Sequence, residues 1–474
     1  MMKRNELDEA IYQKYIAPTR RVRTRIVGVE LEYPIVNLQN EPVDFSVVHQ
    51  LTNRFTDTFR LTERHYDDEG NVYSAVSPET GDCLSYDCSY NTLELSFGKE
   101  EDIGVLDSRF RSYYAFIQDV LSRHGHMITG LGVNPHYRVN RNTPVPNGRY
   151  RMLLHHLSSY ERYGEALPFH RHPEFGLLAC ASQVQLDVQE QDLIETLHSF
   201  SRLQPFNALL FANSPFAEGG WLLARDHFWR DSMHGYNRRN VDFYPERVRS
   251  VDELIAYIAD MSIYCVERGE KYINFTPIPL KEYFARDTLT GEYYENGSYR
   301  SIAFHPEPGD LQWLRSYKLV DLTYRGTIEH RSVCEQPVSQ VFAPAAFHAG
   351  LTENLHELSA FLEQDRSLYG HGMDAFALRD ALCHAALPAF ADRAQVSSAL
   401  LTLVELAEDG LRQRGFGEEH FLAPLRERAQ RLQSPAAELV EGLQQGAPLA
   451  RYIEKYAELS TKPSPALLGR ACSW

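Results

Sequence analysis

The sequence predicts an α+β fold, in which a curved, mainly antiparallel sheet lines a funnel-shaped site and a helical region forms the C-terminal part. Four strand-like stretches carry polar or acidic side chains on one face and aliphatic side chains on the other. Strands with one wet face and one buried face are typical of antiparallel sheets backed by helices, rather than of doubly wound parallel sheets. From about Ala346 the apolar spacing is almost wholly helical.

The first acidic stretch, Ile26–Tyr33, places two acids where a buried strand normally carries none. Because side chains alternate along a strand, Glu30 and Glu32 share one face with Gly28, while apolar residues fill the other face. Neighbouring like charges are unfavourable unless a cation lies between them, and carboxylates at this spacing suit a magnesium-type ion. An isolated pair of this kind would be a solvated edge strand, but the pattern recurs along the chain.

Three further stretches repeat this alternation. Their polar residues are Glu94 in Ser85–Phe97, Gln183, Gln185 and Asp187 in Cys180–Val188, and Glu329 with Arg331 in Tyr324–Ser332. Convergence of these strands would fit an ATP site with two or more magnesium ions, where carboxylates hold the metals and arginine neutralises phosphate charge. Neither a P-loop motif nor a protein-kinase signature is present, so the site would use neither of those phosphate-binding loops.

Apolar residues at helical spacing predict the elements between and after these strands. The predicted helices are Asn5–Ile16, Pro42–Leu61, Ile103–His124, Gln191–Ala212, Val251–Arg268, Ala375–Phe390, Gln395–Arg414, Glu418–Leu432 and Pro435–Gln445, with a hairpin at Asp67–Asn71 and a strand over Lys271–Phe275. The arginine cluster in Asn147–Met152 opens a further helix, where guanidinium groups and free backbone N–H groups suit an anion. The pair His155-His156 is expected on the surface of that helix.

The composition is that of a globular protein without nucleic-acid or membrane partners. The 474 residues include 48 basic and 64 acidic side chains, and the net charge of −16 argues against a nucleic-acid surface. No apolar run approaches the roughly 18 residues that a membrane span requires, so we expect a soluble, unexported protein. The seven cysteines are scattered without a CxxC pair, which indicates a reducing cytoplasm rather than a disulfide framework or a zinc site.

Several short motifs, read in chain order, carry a family resemblance. They are Gly28–Glu32, Leu93–Ser96, Pro146–Tyr150, Met152, Ser182–Asp187, Leu203–Pro205, Leu210–Phe216 and Glu329–Arg331. Over about residues 24–350 the chain resembles the glutamate-cysteine ligases of the plant and proteobacterial type, within the glutamine synthetase-like carboxylate-amine ligases. The resemblance implies a catalytic domain over residues 1–345 and leaves a helical C-terminal region over residues 346–474.

The resemblance implies an ATP-dependent ligase that phosphorylates the γ-carboxylate of glutamate, after which the amine of cysteine attacks the acyl phosphate. It matches Glu30, Glu32, Glu94 and Glu329 to metal-binding acids, and Arg331 to a residue on the nucleotide phosphates. It matches Asp87 to an acid that orients the incoming amine or accepts its proton, and Gln185 to a site-lining position. It matches Arg149, Arg225, Trp229 and Tyr264 to positions that hold glutamate.

These expectations have alternatives. The small-molecule partners would be glutamate, ATP and cysteine or another amine, so one alternative is a ligase of the same fold with a different acceptor. A second alternative is a catalytically silent binding protein, although the chain keeps every acid that the chemistry needs. Without the resemblance, Trp229 and Tyr264 would be interpreted as core aromatics. The oligomeric state cannot be predicted from these patterns.

Overall fold

The computed structural model describes residues 4–216 and 219–459, apart from the side chain of Glu165. The strands are β1 (Val27–Asn37), β2 (Glu63–Tyr66), β3 (Val72–Val76), β4 (Cys83–Tyr86), β5 (Thr92–Ser96), β6 (His126–Ile128), β7 (Ser182–Asp187), β8 (Val241–Asp242), β9 (Ser262–Arg268), β10 (Lys271–Pro279), β11 (Leu289–Glu295), β12 (Ser298–Phe304), β13 (Tyr317–Lys318), β14 (Val320–Leu322) and β15 (Thr327–His330).

The helices are α1 (Arg4–Ile11), α2 (Phe45–Thr58), α3 (Ile103–Ser122), α4 (Gly148–Ser158), α5 (Leu193–Arg202), α6 (Gln204–Phe211), α7 (Ala224–Arg230), α8 (Val251–Ala259), α9 (Leu280–Tyr283), α10 (Ala343–Glu353), α11 (Leu355–Gln364), α12 (Ala375–Ala381), α13 (Arg393–Arg414), α14 (Ala423–Arg431), α15 (Pro435–Gln444) and α16 (Leu449–Ala457). Among the described residues, no helix is both long enough and apolar enough to cross a membrane.

The main sheet contains all four of the polar strands predicted from the sequence. In the described part of the chain it has nine strands in the order β14-β15-β7-β1-β5-β4-β3-β2, with β6 paired to β1. Each of these pairings is antiparallel. The four polar strands β15, β7, β1 and β5 are consecutive neighbours at its centre. The structure therefore confirms the predicted α+β class with a mainly antiparallel sheet.

Helices cover the apolar face of the main sheet. The side chains of Val27, Val29, Leu31 and Tyr33 on β1 are at most 2% exposed. The Tyr33 ring stacks on Phe110 of α3 with ring centroids 6.1 Å apart, and α10 packs against β7 and β1. Burial of this apolar area against helices stabilises the sheet and leaves its other face for polar side chains.

The predicted helix Val251–Arg268 is wrong in its second half. Helix α8 ends at Ala259, and Ser262–Arg268 forms strand β9, which pairs with β10 in a second sheet of order β12-β11-β10-β9. Residues Ile263 and Tyr264 and their neighbours are buried on both faces of the strand, so the sequence shows no alternation there. A continuous apolar run is compatible with either a buried helix or a buried strand, and β-sheet pairing decides between them.

Two other helices are shorter than predicted. Gln191–Ala212 is divided into α5 and α6, and Pro205 in the first turn of α6 has no N–H to continue the preceding helix. Ala375–Phe390 is limited to α12, because the backbone carbonyl of Cys383 accepts hydrogen bonds from the N–H groups of Leu222 and Leu223 instead of continuing a helix. The β11-β12 hairpin was not predicted.

The predicted helical C-terminal region is confirmed from α10 onward, and its residues 460–474 lie outside the described part of the chain. Helices α10 and α13 cross at Gly350 and Gly410, where a Cβ on Gly410 would lie 1.9 Å from the Gly350 carbonyl oxygen. One hydrophobic cluster contains residues as far apart in the chain as Leu7 and Ala436. It therefore includes residues from both sides of the predicted boundary at residue 345. The division into two domains at that residue stays a prediction.

Candidate active site

Strand pairing brings the predicted acids onto one face of the main sheet. Glu32 of β1 lies opposite Glu94 of β5, and Glu329 of β15 lies opposite Gln185 of β7. Gln185 also faces Gly28 of β1, where an added Cβ would lie 3.4 Å from the Gln185 Cβ. Acids that are distant in the sequence therefore share one surface, and glycine at position 28 leaves room for the amide between them.

This polar face lines a cavity of about 740 Å³. The predicted site residues in its lining are Glu30, Glu32, Asp87, Glu94, Arg149, Arg225, Trp229, Tyr264, Glu329 and Arg331. Gln185 is absent from the lining, and its amide contacts two of the acids that line the cavity. The structure thus gathers the predicted set in one place, while the role of each residue stays a prediction.

Glu30, Gln185, Glu329 and Arg331 form one cluster, called here the Glu30 group. The Gln185 amide nitrogen donates to Glu30 Oε1 at 3.1 Å and to Glu329 Oε1 at 3.0 Å. Arg331 donates to Glu329 Oε2 from Nε at 2.9 Å and from Nη2 at 2.6 Å. Burial, together with the charges of Glu94 and Glu329, raises the pKa of Glu30 to about 8. A single arginine therefore leaves these carboxylates incompletely neutralised.

Glu32, Gln183, Glu94 and Asp87 form a second cluster, the Glu32 group. Glu32 accepts hydrogen bonds at 2.7 Å from the Ala181 backbone N–H and at 2.7 Å from the Gln183 amide. Burial, followed by the charges of Asp87 and Glu94, raises the pKa of Glu32 well above its usual range. Burial and the charge of Asp87 also raise the pKa of Glu94. Glu32 and Glu94 are thus destabilised in their charged forms by their neighbours.

Asp87 reaches the cavity from a tight turn between β4 and β5. Cys88 in this turn has a φ of 61°, in the left-handed region that non-glycine residues rarely occupy. The Val145 N–H donates to the Cys88 carbonyl at 2.9 Å, and the Cys88 thiol donates to Asp87 Oδ1 at 3.4 Å. Burial raises the pKa of Asp87. Strained backbone next to a buried acid is typical of functional sites, and here it directs Asp87 into the cavity.

Helix α7 carries two of the predicted substrate-binding residues, Arg225 and Trp229. Arg225 is 5% exposed, and its terminal nitrogens donate to the carbonyl of Val333 at 3.2 Å and to that of Arg331 at 3.3 Å. The Arg225 Nε is buried and has no hydrogen-bond partner in the part of the chain that the structure describes. A buried, unpaired donor on a cation costs free energy, so this N–H is suited to an anionic ligand.

Aromatic rings form one wall of the cavity. Trp229 stacks on Tyr317 with ring centroids 5.4 Å apart, and the hydroxyl groups of Tyr317 and Tyr264 lie 3.3 Å apart. His156 stacks on Tyr264 at 3.6 Å and is only 2% exposed, so its predicted place on the helix surface is wrong. The rings of Tyr264 on β9 and of His234 cover His156 on this side of helix α4. Trp229 and Tyr264 thus line the cavity, and each packs against another aromatic ring, Tyr317 and His156 respectively.

Sequence reasoning missed several charged residues of the cavity, among them Asp321, Arg315 and Arg325. Asp321 of β14 lies opposite Glu329, and the Tyr244 hydroxyl donates to it at 2.8 Å. Its position in Val320-Asp321-Leu322 shows the same alternation as the other acidic strands, so this signal could have identified it. Arg315 and Arg325 also line the cavity and lie outside regular strands, where no periodicity reveals the direction of a side chain.

The donor chemistry of the cavity fits magnesium, although the cavity is not a ready-made metal site. Among residues 4–216 and 219–459, no three acidic, histidine or cysteine side chains are grouped so that they would hold a metal ion. The two acid groups nevertheless supply carboxylate oxygens, the hard ligands that magnesium prefers. Their raised pKa values have mutual repulsion as one cause, and a bound cation would remove that cause.

Comparison with known proteins identifies the family of the chain. The family model for glutamate-cysteine ligase family 2 matches residues 26–454. The chloroplastic glutamate-cysteine ligase of Solanum lycopersicum is 25% identical over 360 residues, and that of Arabidopsis thaliana is 25% identical over 362 residues. Both alignments cover 74% of this chain and 64% of the relative, so this chain matches less than two thirds of the length of these relatives.

Among solved structures, the glutamate-cysteine ligase of Francisella tularensis in complex with AMP is 12% identical to this chain, with a TM-score of 0.46. That alignment covers 95% of this chain and 92% of the other. A bifunctional glutathione synthetase from Pasteurella multocida is 14% identical, with a TM-score of 0.44, over 96% of this chain and 54% of that chain. Because the family model matches nearly the whole sequence, the chain belongs to glutamate-cysteine ligase family 2.

Proposed function

We propose that the protein is an ATP-dependent ligase that joins the γ-carboxylate of glutamate to the amine of cysteine through a γ-glutamyl phosphate, as in glutathione-type thiol biosynthesis. The observation that carries this proposal is that one cavity contains two clusters of carboxylates, the Glu30 group and the Glu32 group, together with several arginines. Carboxylates bind magnesium, and arginines bind the phosphates and carboxylates of substrates. Family membership supports the same reaction.

Magnesium would be held by the two acid groups. Glu30 and Glu329 would supply the ligands of one ion, and Glu32 and Glu94 those of another. The two groups follow each other along β1, because Glu30 and Glu32 are two residues apart on the same strand face. Bound magnesium would supply positive charge that neutralises the phosphates of ATP. Gln185 is a positioning residue here, because its amide fixes the carboxylates of Glu30 and Glu329.

The nucleotide phosphates would lie beside the Glu30 group. Arg331 directly follows β15 and pairs with Glu329, and Arg325 lies in the turn that precedes the same strand. Within the described residues the Arg325 side chain forms no salt bridge, although its charge acts to lower the pKa of Glu30, and it is exposed at the cavity. An unpaired guanidinium at this position suits a phosphate oxygen.

Glutamate would bind on the side of Arg225 and the aromatic wall. Its α-carboxylate would accept from the unpaired Nε of Arg225, and Arg149 offers a second guanidinium at the exposed rim of the cavity. The rings of Trp229 and Tyr264 would enclose its aliphatic part. This arrangement directs the γ-carboxylate toward the acid groups and the nucleotide.

The reaction would proceed in two displacements. A γ-carboxylate oxygen of glutamate attacks the γ-phosphorus of ATP, the bond from that phosphorus to its bridging oxygen breaks, and ADP leaves. The cysteine amine then attacks the acyl carbon, the bond from that carbon to the phosphate oxygen breaks, and inorganic phosphate leaves. Asp87 accepts the proton that the nitrogen loses. The raised pKa of this buried acid makes it a stronger base than an exposed aspartate.

The direct test is phosphate release from ATP with single amino acids and with pairs of them. We expect release to require magnesium, glutamate and cysteine together. Release that does not depend on glutamate would contradict the proposal, and release with glutamate and another amine would assign a different acceptor. No release with any amine would favour a silent binding protein.

The cysteines support a reducing compartment for this reaction. Within the described residues Cys83, Cys88, Cys180, Cys265, Cys334 and Cys383 are all free thiols, and Cys472 lies outside the described residues. A bacterial or organellar interior that keeps thiols reduced meets this condition, and we propose the cytoplasm.

A further inference from the structure

A short segment of the C-terminal region, residues 376–384, fastens the helix that carries Arg225 and Trp229. We call this segment the strap. It contains most of α12 and the residues that follow it, and it lies more than 140 positions from α7 in the sequence. Arg230 of α7 donates to Asp380 of the strap at 2.6 Å, and the Trp221 ring stacks on His384 with centroids 4.2 Å apart. The strap thus contacts both ends of the segment 221–230.

The central contact is a buried ion pair between Arg379 of the strap and Asp226 of α7. Arg379 Nε donates to Asp226 Oδ2 at 2.6 Å, and Nη2 donates to Oδ1 at 3.1 Å, so the pair is bidentate. The Arg379 side chain is 3% exposed and that of Asp226 is 9% exposed. Both oxygens of Asp226 are therefore occupied, although Asp226 lines the cavity directly beside Arg225.

Arg379 and Arg225 also share a backbone acceptor. Arg379 Nη2 donates to the Ser332 carbonyl at 3.4 Å, and Arg225 Nη1 lies 3.5 Å from the same oxygen. The remaining nitrogen of Arg379 donates to the Gln204 carbonyl at 2.8 Å. The guanidinium of Arg379 therefore ties together α7, α6 and the chain after β15, which are the elements that surround Arg225.

We propose that Arg379 is a positioning residue that keeps Arg225 available for the substrate carboxylate, an inference that rests on the proposed function of the cavity. Without Arg379, the buried carboxylate of Asp226 loses its bidentate partner, and only the cations of neighbouring residues remain to neutralise it. Arg225 is adjacent to Asp226 in the chain and has an unpaired Nε, and an unpaired buried charge is costly enough to draw this cation over. Arg225 would then neutralise Asp226 instead of binding glutamate.

This role differs from simple stabilisation of the fold. An ion pair that acts only through stability would change the melting temperature and the fraction of folded protein, and would leave the affinity of the folded fraction for each substrate unchanged. A pair that keeps Arg225 available should change the affinity for glutamate. It should leave the affinity for ATP unchanged, because the nucleotide would lie beside the Glu30 group. The two substrates therefore provide an internal comparison.

The chain offers a matched control in Arg414 and Glu418. This second buried ion pair of the C-terminal region has side chains that are each 1% exposed, with Arg414 Nε donating to Glu418 Oε2 at 2.8 Å. Neither residue lines the cavity. Arg414→Met removes a buried cation from its partner just as Arg379→Met does, so both variants should lose stability. Only Arg379→Met should change the use of glutamate.

The experiment compares wild type, Arg379→Met, Arg414→Met and the double variant Arg379→Met/Asp226→Asn. We expect Arg379→Met to raise the glutamate KM about tenfold with little change in the ATP KM, which is the size of effect that coupled neighbours produce. The Asp226→Asn change removes the charge that would attract Arg225, so the double variant should regain most of the glutamate affinity. Titration calorimetry of glutamate with the folded protein should show the same order of affinities.

Arg379→Lys covers the case in which Arg379→Met folds poorly. Lysine keeps the charge but cannot form the bidentate contact, so its glutamate KM should lie between those of wild type and Arg379→Met. Equal glutamate KM values in Arg379→Met, Arg379→Lys and Arg414→Met would overturn the inference, as would failure of Asp226→Asn to restore affinity. If wild type itself neither binds glutamate nor uses it, the proposed function fails instead, which separates the two outcomes.

Discussion

Glu32 of β1 and Glu94 of β5 are direct cross-strand partners, so two carboxylates face each other across antiparallel strands. Like charges in this position destabilise a sheet. Burial and the charges of Asp87 and Glu94 raise the pKa of Glu32 well above its usual range. The metal-free protein therefore carries an electrostatic repulsion at the centre of its main sheet, and a bound cation would relieve it.

Glu94→Gln should separate stability from activity. The substitution keeps the shape of the side chain and removes one of the facing charges, so the metal-free variant should be more stable than wild type by about 0.2–1 kcal/mol. Turnover with magnesium should fall by a factor on the order of 10², because a ligand of the cation is weakened. Thermal melting with EDTA and with magnesium, alongside kcat, measures both effects.

Glu335→Gln is the control for this experiment. Glu335 is fully buried, burial raises its pKa, and it accepts a hydrogen bond from Ser182 at 3.1 Å, but it does not line the cavity. Its substitution should leave the magnesium dependence of activity unchanged. A loss of magnesium dependence that is equal in both variants would remove the reason for placing Glu94 at a metal.

Arg225→Ala should raise the KM for glutamate more than the KM for ATP. A guanidinium recognises a carboxylate by charge-assisted hydrogen bonds, and its removal leaves the substrate charge unpaired, at a cost of roughly 2–5 kcal/mol of binding. Steady-state kinetics with each substrate varied in turn measures the two KM values.

Arg325→Ala provides the opposite comparison. Arg325 lines the same cavity, is exposed, and belongs to the turn before β15, next to the proposed phosphates. Its removal should raise the KM for ATP more than that for glutamate. If both arginine variants raise the KM values for ATP and glutamate equally, the assignment of the two substrates to separate ends of the cavity is wrong.

His156→Phe should reduce the loss of stability in acid. Burial lowers the pKa of His156 to about 3, against an ordinary value of 6.5. Between these two pH values the unfolded chain binds a proton that the folded chain does not, so folding stability falls as the pH drops through this window. Phenylalanine keeps a ring that can stack on Tyr264 and does not titrate. Urea unfolding between about pH 6.5 and pH 5 should show a steeper decline for wild type, by up to about 1.4 kcal/mol per pH unit.

His356→Gln tests the sign of this argument. A hydrogen bond to Glu195 raises the pKa of exposed His356, so its contribution to stability is present at low pH and is lost as the pH rises through its folded-state pKa. Replacing it should therefore change the pH profile in the opposite sense. If the pH profile of stability is the same for His156→Phe and for wild type, His156 is protonated in the folded protein.

Alternation along the strands made much of the site predictable. Period-two patterning placed Glu30, Glu32, Glu94 and Glu329 on polar faces, and the structure joins those faces because β5, β1, β7 and β15 are neighbours. The same signal is present at Asp321, but a strand of only three residues is too short for the alternation to stand out. Patterning thus identifies the face of a strand, while strand order decides which faces meet.

Features that depend on long-range packing were beyond this kind of inference. Tyr264 was expected on a helix, because a strand buried on both faces shows no alternation. The surface position expected for His156 is wrong because nothing local indicates that the rings of Tyr264 and His234 cover it. The pairing of Arg379 with Asp226 spans 153 positions, and no single-sequence pattern selects these two among many charged residues.

The most direct test of the proposed reaction is the transfer of oxygen from glutamate to phosphate. Glutamate labelled with ¹⁸O in its γ-carboxylate is incubated with ATP, magnesium and cysteine, and the released phosphate is analysed by mass spectrometry. The account predicts labelled phosphate, because the carboxylate oxygen that attacks the γ-phosphorus leaves with it when the amine displaces phosphate. Phosphate released without the label, at the same rate as peptide-bond formation, would contradict the acyl-phosphate reaction and with it the proposed function of the cavity.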